Sequence, residues 1–256
     1  MKSRTAPKLL VGVLVLLLSV PRSPAAEASN NAPSTSTPAS TTTPTKKPVK
    51  EIVYKKPQLP PGDVGRTMQG GTRGSTDASG GKLPALEVLA PNHVALTSQQ
   101  QPTLFWYQGA PAKVAFQLTL TEPGKSKPLL KVDIDTAENA GIRALSLARQ
   151  NVKLQRDVTY SWSIALVPDK ANRSKDQIAT GGIRSIAAPA DLAAKVAEAT
   201  PVEKASLYAA GGLWYDALQA ISTAIAAEPQ NRELHNRRAS LLKQVGLDAA
   251  AASERR

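Results

Sequence analysis

Residues 102–107 read Pro102-Thr103-Leu104-Phe105-Trp106-Tyr107 and run directly into Gln108-Gly109. Only 4% of the chain is aromatic, yet three aromatic residues stand here side by side. A short apolar run rich in β-formers, entered by Pro and left by Gly, predicts a central strand of an all-β core. Its neighbours supply the pairing partners. Leu86-Glu87-Val88-Leu89 comes before it and stops at Pro91-Asn92. After it, Val114, Phe116, Leu118 and Leu120 alternate with Ala115, Gln117, Thr119 and Thr121, the period of a half-buried strand. Glu122-Pro123-Gly124-Lys125 makes the turn into Leu130, Val132 and Ile134, which alternate with Lys131, Asp133 and Asp135. Ile142 to Leu147 predicts a fifth strand, and Tyr160, Trp162, Ile164 and Leu166 a sixth. Ile178 to Ile186 predicts a seventh, where Gly181-Gly182 implies a bulge or kink.

Seven short strands over residues 83–188 predict an antiparallel β-sandwich of the immunoglobulin or fibronectin-III-like type. Phe105, Trp106, Phe116 and Trp162 are its expected core, with the two tryptophans bridging the sheets. The chain has no Cys. That favours the fibronectin-III-like form over a disulfide-bearing immunoglobulin domain and excludes thiolate metal sites.

Upstream, Lys2, Arg4 and Lys8 precede an apolar run from Leu9 to Leu18, and Ala26-Glu27-Ala28 supplies an A-x-A cleavage site. Residues 1–28 therefore predict a secretory signal peptide, its run shorter than the ~20 apolar residues a bilayer requires. The expected product is exported, periplasmic or extracellular, without a transmembrane helix in the mature chain. Residues 29–82 predict a disordered tether, because Ser29–Thr45 is built of Ser, Thr, Pro, Ala and Asn and cannot offset its ordering entropy. Lys46, Lys47, Lys50, Lys55 and Lys56 follow, with Val53-Tyr54 as a short contact to the folded part. Gly65-Arg66-Thr67-Met68-Gln69-Gly70-Gly71-Thr72-Arg73-Gly74 comes next. Its glycines and the charges of Arg66 and Arg73 suit an anion cradle, but neither a P-loop nor a dinucleotide fingerprint is present. The chain carries +12, and the tether holds eight basic residues against three acids. A basic arm of this kind meets anionic surfaces.

Downstream, residues 189–248 predict a helical tail and residues 249–256 a frayed end. Thr200-Pro201-Val202-Glu203 has the order of a capping box with Pro in the first turn. Ala205, Tyr208, Gly212, Trp214, Ala217, Ile221, Ala224 and Pro229 stand at tetratricopeptide spacing. Ala205 to Ala239, Tyr208 to Leu242 and Gly212 to Gly246 are each 34 apart. The tail thus predicts one such repeat and the first helix of a second. So short an array caps a sheet face or docks on a partner, with Tyr208, Trp214 and Tyr215 as candidate binding residues.

No constellation specifies a reaction. The two histidines, His93 and His235, fall in different predicted domains, which argues against a shared metal site or a triad base. Asp133 and Asp135 share a strand face about 7 Å apart, the geometry of a solvated face as well as of a carboxylate pair. No catalytic residue, cofactor, metal or nucleic-acid partner is implied.

Several of these pieces, in order, resemble a known family: Arg66–Gly74, Leu96-Thr97, Pro102–Tyr107, Tyr160-Ser161-Trp162 and Gly212-Leu213-Trp214-Tyr215-Asp216-Ala217-Leu218. The set is similar to the exported bacterial proteins grouped as domain of unknown function 928, over about Lys56 to Leu247. The resemblance implies a bacterial envelope setting, in which the sequon Asn172-Arg173-Ser174 is irrelevant, and it carries no activity. The expectation is an exported, non-enzymatic interaction or scaffold protein meeting an envelope protein or wall polymer. The alternatives are an envelope hydrolase or carbohydrate-active protein using Asp133, Asp135 or Glu122, and a self-associating structural component.

Overall fold

Alternation along residues 115–121 builds the larger sheet. Phe116, Leu118 and Leu120 of β4 (Ala115–Thr121) are fully buried, while the residues between them are only partly covered. They face Leu166, Ile164 and Trp162 on β7 (Thr159–Val167) and Ile134, Val132 and Leu130 on β5 (Leu130–Ile134). Apolar residues directly opposite one another fix this register, since a one-residue slip turns each of them to water. The structure is a computed structural model that describes residues 51–58, 83–135 and 139–255, all within one compact unit.

Among the described residues eight strands form two sheets. One has the order β1-β3-β6, from Leu86–Val88, Thr103–Gln108 and Gly141–Ser146. The other has the order β2-β8-β7-β4-β5, with β2 at Ala95–Thr97 and β8 at Gln177–Ser185. This is the strand distribution of a fibronectin-like sandwich with one added edge strand. The added strand, β2, is not expected from the sequence, and it runs parallel to β8, so the sandwich is not wholly antiparallel. Nor is there a bulge at Gly181-Gly182, because the β7–β8 register runs through both unbroken. The glycines serve close approach instead. A Cβ on Gly181 would lie 3.1 Å from both Ala90 Cβ and Trp162 Nε1, and one on Gly182 would lie 3.2 Å from Val94.

Every residue of β3 from Leu104 to Gln108 is buried, so both of its faces are covered. Leu104 and Trp106 share the side of Leu86 and Val88, toward the opposing sheet. Phe105 and Tyr107 turn the other way, toward helices. This double burial is why the run reads as continuous apolar sequence rather than as an alternation.

The helical layer comprises α1 (Ala190–Glu198), α2 (Pro201–Ala210), α3 (Trp214–Ala227), α4 (Arg232–Lys243) and α5 (Asp248–Ser253). The capping box is present: Thr200 and Glu203 each bond the other's backbone N–H. Gly212 and Gly246 hold φ of +76° and +80°, the left-handed geometry that lets α2 and α4 stop and the chain reverse. The tail therefore completes a second hairpin instead of stopping after its first helix. Residues 249–255 are not frayed either. Ala250 and Ala251 are buried, and Glu254 is bound by Arg238. Among the described residues no helix is long and apolar enough to cross a membrane.

Residues 51–58 make the contact expected of Val53-Tyr54, but through Ile52 and Tyr54, with Val53 exposed. They lie extended against the helices, with Ile52 fully buried and Lys55 N donating to Ala209 O at 3.0 Å.

Candidate functional site

The first turn of α3 carries Trp214, Tyr215 and Asp216, all buried. A helix presents three successive residues over about 200° of its circumference, so burying all three requires partners on several sides. Trp214 Nε1 donates to Leu89 O at 2.8 Å. Tyr215 Oη accepts from Trp162 Nε1 at 2.8 Å and donates to Gly182 O at 3.0 Å. Asp216 accepts from Ser98 N at 2.9 Å, from Ser98 Oγ at 2.5 Å and from Gln99 Nε2 at 3.4 Å. Burial pushes the Asp216 carboxyl above the usual range, and the bonds from Ser98, Thr97 and Gln99 partly offset it. Burial likewise raises the Tyr215 phenol, so the hydroxyl keeps the proton that it donates to Gly182. This seam joins α3 to β1, β2, β7 and β8.

On one side of the seam lies a groove filled by the strap Glu51–Gln58. Tyr54 stands edge-on to Trp214, with ring centroids 5.0 Å apart, and is stacked on His93 at 6.1 Å. Its hydroxyl meets His93 Nε2 at 3.0 Å. Burial raises the Tyr54 phenol. Burial first, and then the Lys56 charge, lower His93, which is therefore neutral at pH 7. Gln244 grips the strap backbone at both of its amide atoms, accepting from Tyr54 N at 2.8 Å and donating to Ile52 O at 2.8 Å.

Between β3, β6 and the α4–α5 hairpin is an open recess of about 790 Å³, lined by Tyr107, Ile142, Arg232, His235, Glu254 and Arg255, among others. Glu254 anchors its floor. Arg238 bonds both carboxylate oxygens, at 3.0 and 2.7 Å, and donates to Ser222 Oγ at 3.1 Å. His235 Nδ1 lies 2.9 Å from Glu254, and its Nε2 lies 3.0 Å from Pro229 O. The recess thus pairs an apolar wall with arginines at its rim, a surface suited to an acidic or carboxylate-bearing segment.

These placements revise the residues expected from sequence. Tyr215 lines no binding groove, because its burial in the seam leaves it no surface for a partner, whereas Trp214, equally buried, meets Tyr54 of the strap. Tyr208 is half-buried beside Leu96, Leu192 and Leu213. Arg66 and Arg73 lie outside the described residues. Phe105, Trp106, Phe116 and Trp162 are buried core. Asp133 is exposed, bonded by Gln117 Nε2 at 2.7 Å and 3.9 Å from Lys170 Nζ. His93 and His235 occupy separate places, and among the described residues no three His, Asp or Glu side chains are grouped to hold a metal. Sequence reasoning missed Gln244, Asp216 and the Arg238–Glu254 pair. The one available signal was that the tail's Arg and Glu fall at positions that its helical period turns inward.

Residues 68–255 match the family described as Domain of Unknown Function (DUF928). No curated protein matches the chain. Among solved structures, the FN5 domain of Drosophila Lar is similar at 15% identity and a TM-score of 0.24, over 40% of this chain and 97% of that one. Astrotactin-2, a conserved vertebrate-specific and perforin-like membrane protein involved in neuronal development, is similar at 13% identity and a TM-score of 0.29. That likeness covers 71% of this chain and 37% of the other.

Proposed function

The chain belongs to the family described as Domain of Unknown Function (DUF928), and from that premise we propose that it is an exported, non-enzymatic interaction protein of the bacterial envelope. The open recess between β3, β6 and the α4–α5 hairpin carries this reading. It is a partly apolar hollow of about 790 Å³ with Arg232 and Arg255 at its edge. The signal-peptide pattern of residues 1–28 supports export, and Lys46, Lys47 and Lys50 supply a basic arm for envelope anions.

The helical layer belongs to the same proposal as a tetratricopeptide-like unit. Its hairpins α2–α3 and α4–α5 repeat at 34 residues, with Gly212 and Gly246 in matching turns. The sandwich takes the place of the further repeats that such a pair needs for a continuous core. Its recognition surface is the recess, because the strap fills the groove on α2, α3 and α4.

The test is crosslinking in intact cells with tagged full-length protein carrying a photoreactive residue at Asn236, an exposed position on the recess wall. Reproducible capture of one envelope protein at that position, lost on Arg232→Glu, supports the reading. Capture of wall polymer through Lys46–Lys50 alone moves the function to electrostatic anchoring. Recovery of nothing overturns it.

A further inference from the structure

The strap is bound as a peptide ligand is bound. Its residues alternate, with Ile52 and Tyr54 turned inward while Val53 and Lys55 face solvent. Its backbone is read at three points, through Tyr54 N and Ile52 O on the two amide atoms of Gln244 and through Lys55 N on Ala209 O. Its side chains are read at three more. Ile52 is fully buried, Tyr54 is held between Trp214 and His93, and Glu51 accepts from Ser240 Oγ at 2.7 Å. Gly212 completes the fit, since a Cβ there would stand 3.1 Å from Lys55 O and 3.4 Å from Pro57. Main-chain bonds with alternate side-chain pockets are how extended segments are recognised by a folded surface.

The segment that fits this groove is joined to Leu83 through 24 residues, 59–82, seven of them glycine. Fully extended, such a length reaches about 80 Å, long enough to span to a second copy. Two copies can therefore exchange straps and keep every contact named above, which is the condition for swapping at little energetic cost.

We propose that the groove formed by α2, the start of α3 and α4 is a self-recognition site, and that it takes the Ile52-x-Tyr54 strap of a second copy of this chain. Exchange links copies through a segment bound outside the sandwich, so neither partner unfolds its core. It is independent of the recess and its partner.

The chain has no Cys, so single introduced thiols report unambiguously. Full-length chains carrying Glu51→Cys and Ser240→Cys on different tags are mixed, passed through mild denaturant and oxidised. The expected product is a mixed-tag disulfide dimer whose yield rises with protein concentration and falls at least tenfold when the strap also carries Tyr54→Ala. The double variant Glu51→Cys/Ser240→Cys in one chain reports that the two positions meet at all. Closure within that double variant, with no mixed-tag dimer at millimolar protein, overturns the proposal. So does a mixed-tag dimer insensitive to Tyr54→Ala. Circular dichroism of each variant separates loss of exchange from loss of fold.

Discussion

Trp162 donates its indole N–H to the Tyr215 hydroxyl across 2.8 Å, and that hydroxyl donates onward to the Gly182 carbonyl at 3.0 Å. One phenol thereby couples β7, β8 and α3 in a place that water does not reach, since Tyr215 and Trp162 are each 1% exposed. Tyr215→Phe keeps the ring and removes the link, leaving an indole N–H and losing a bond to a carbonyl. An unsatisfied buried donor costs about 1–3 kcal/mol. Urea unfolding of the full chain should show that loss in the midpoint with an unchanged slope, because the surface exposed on unfolding is the same. Equal midpoints for the two proteins would show that the link contributes nothing.

Gly181 tests whether close packing at the same seam is the reason for a glycine there. Gly181→Ala brings a methyl to 3.1 Å from Ala90 Cβ and Trp162 Nε1. Both neighbours are buried in a packed core, so relief requires a shift, at about 1–3 kcal/mol. Gly124 is the control. Its φ is +71° and nothing lies within 4 Å of its added Cβ, so Gly124→Ala bears backbone strain alone, about 1 kcal/mol. Thermal unfolding should rank Gly181→Ala as the more damaging of the two.

The sandwich was legible wherever one face of a strand is dry and the other wet. Residues 115–121 and 130–134 alternate because β4 and β5 have such faces, and the predicted strands fall there. β2 was not legible, because three residues bounded by bends carry no period. The site was harder to see. Trp214 and Tyr215 were visible as aromatics at informative spacing, but spacing does not say whether an aromatic faces a ligand or a sheet. Their hydrogen-bond partners, Leu89 O and Gly182 O, are backbone atoms to which any sequence contributes alike. The strap was visible only as a short contact at Val53-Tyr54, for a related reason. Ile52 and Tyr54 are two apolar residues in a lysine-rich stretch, too few to show a period, and their groove is built about 150 residues later.

Glu87 places a carboxylate of β1 against α5. Burial, and secondarily the Asp248 charge, raise its pKa, opposed by a bond from the Ala250 backbone, and Oε2 is buried without a partner among the described residues. A carboxyl whose folded pKa exceeds its unfolded value binds a proton more readily when folded. Its stabilising contribution is then full below the unfolded value and is lost as pH rises through the folded one. Glu87→Gln removes that titration. The variant should match the wild type near pH 4 and exceed it in stability at pH 7. Paired urea titrations across pH 4–7 measure this directly. An advantage that shrinks as pH rises would show the opposite linkage.

Arg238 and Glu254 form a bidentate pair whose side chains are only 10% and 5% exposed. Taking two charges out of water is costly, and the pair holds because each satisfies the other. Glu254→Gln halves the arrangement, strands the guanidinium and also loosens His235, whose Nδ1 faces the same carboxylate. About 3–5 kcal/mol is expected from breaking such a pair on one side. The damage should be local first, because α5 is short and is held by Leu247, Ala250, Ala251 and this pair. Hydrogen exchange should then quicken at Ala250 and Ala251 while Leu118 in β4 stays protected. The double variant Arg238→Met/Glu254→Met removes both charges and fills the space with apolar volume, so it should recover most of the stability lost by the single change. If the double variant is worse than Glu254→Gln, the pair is a net source of stability rather than a mutually compensated cost, and the recess is held open by electrostatics rather than by packing.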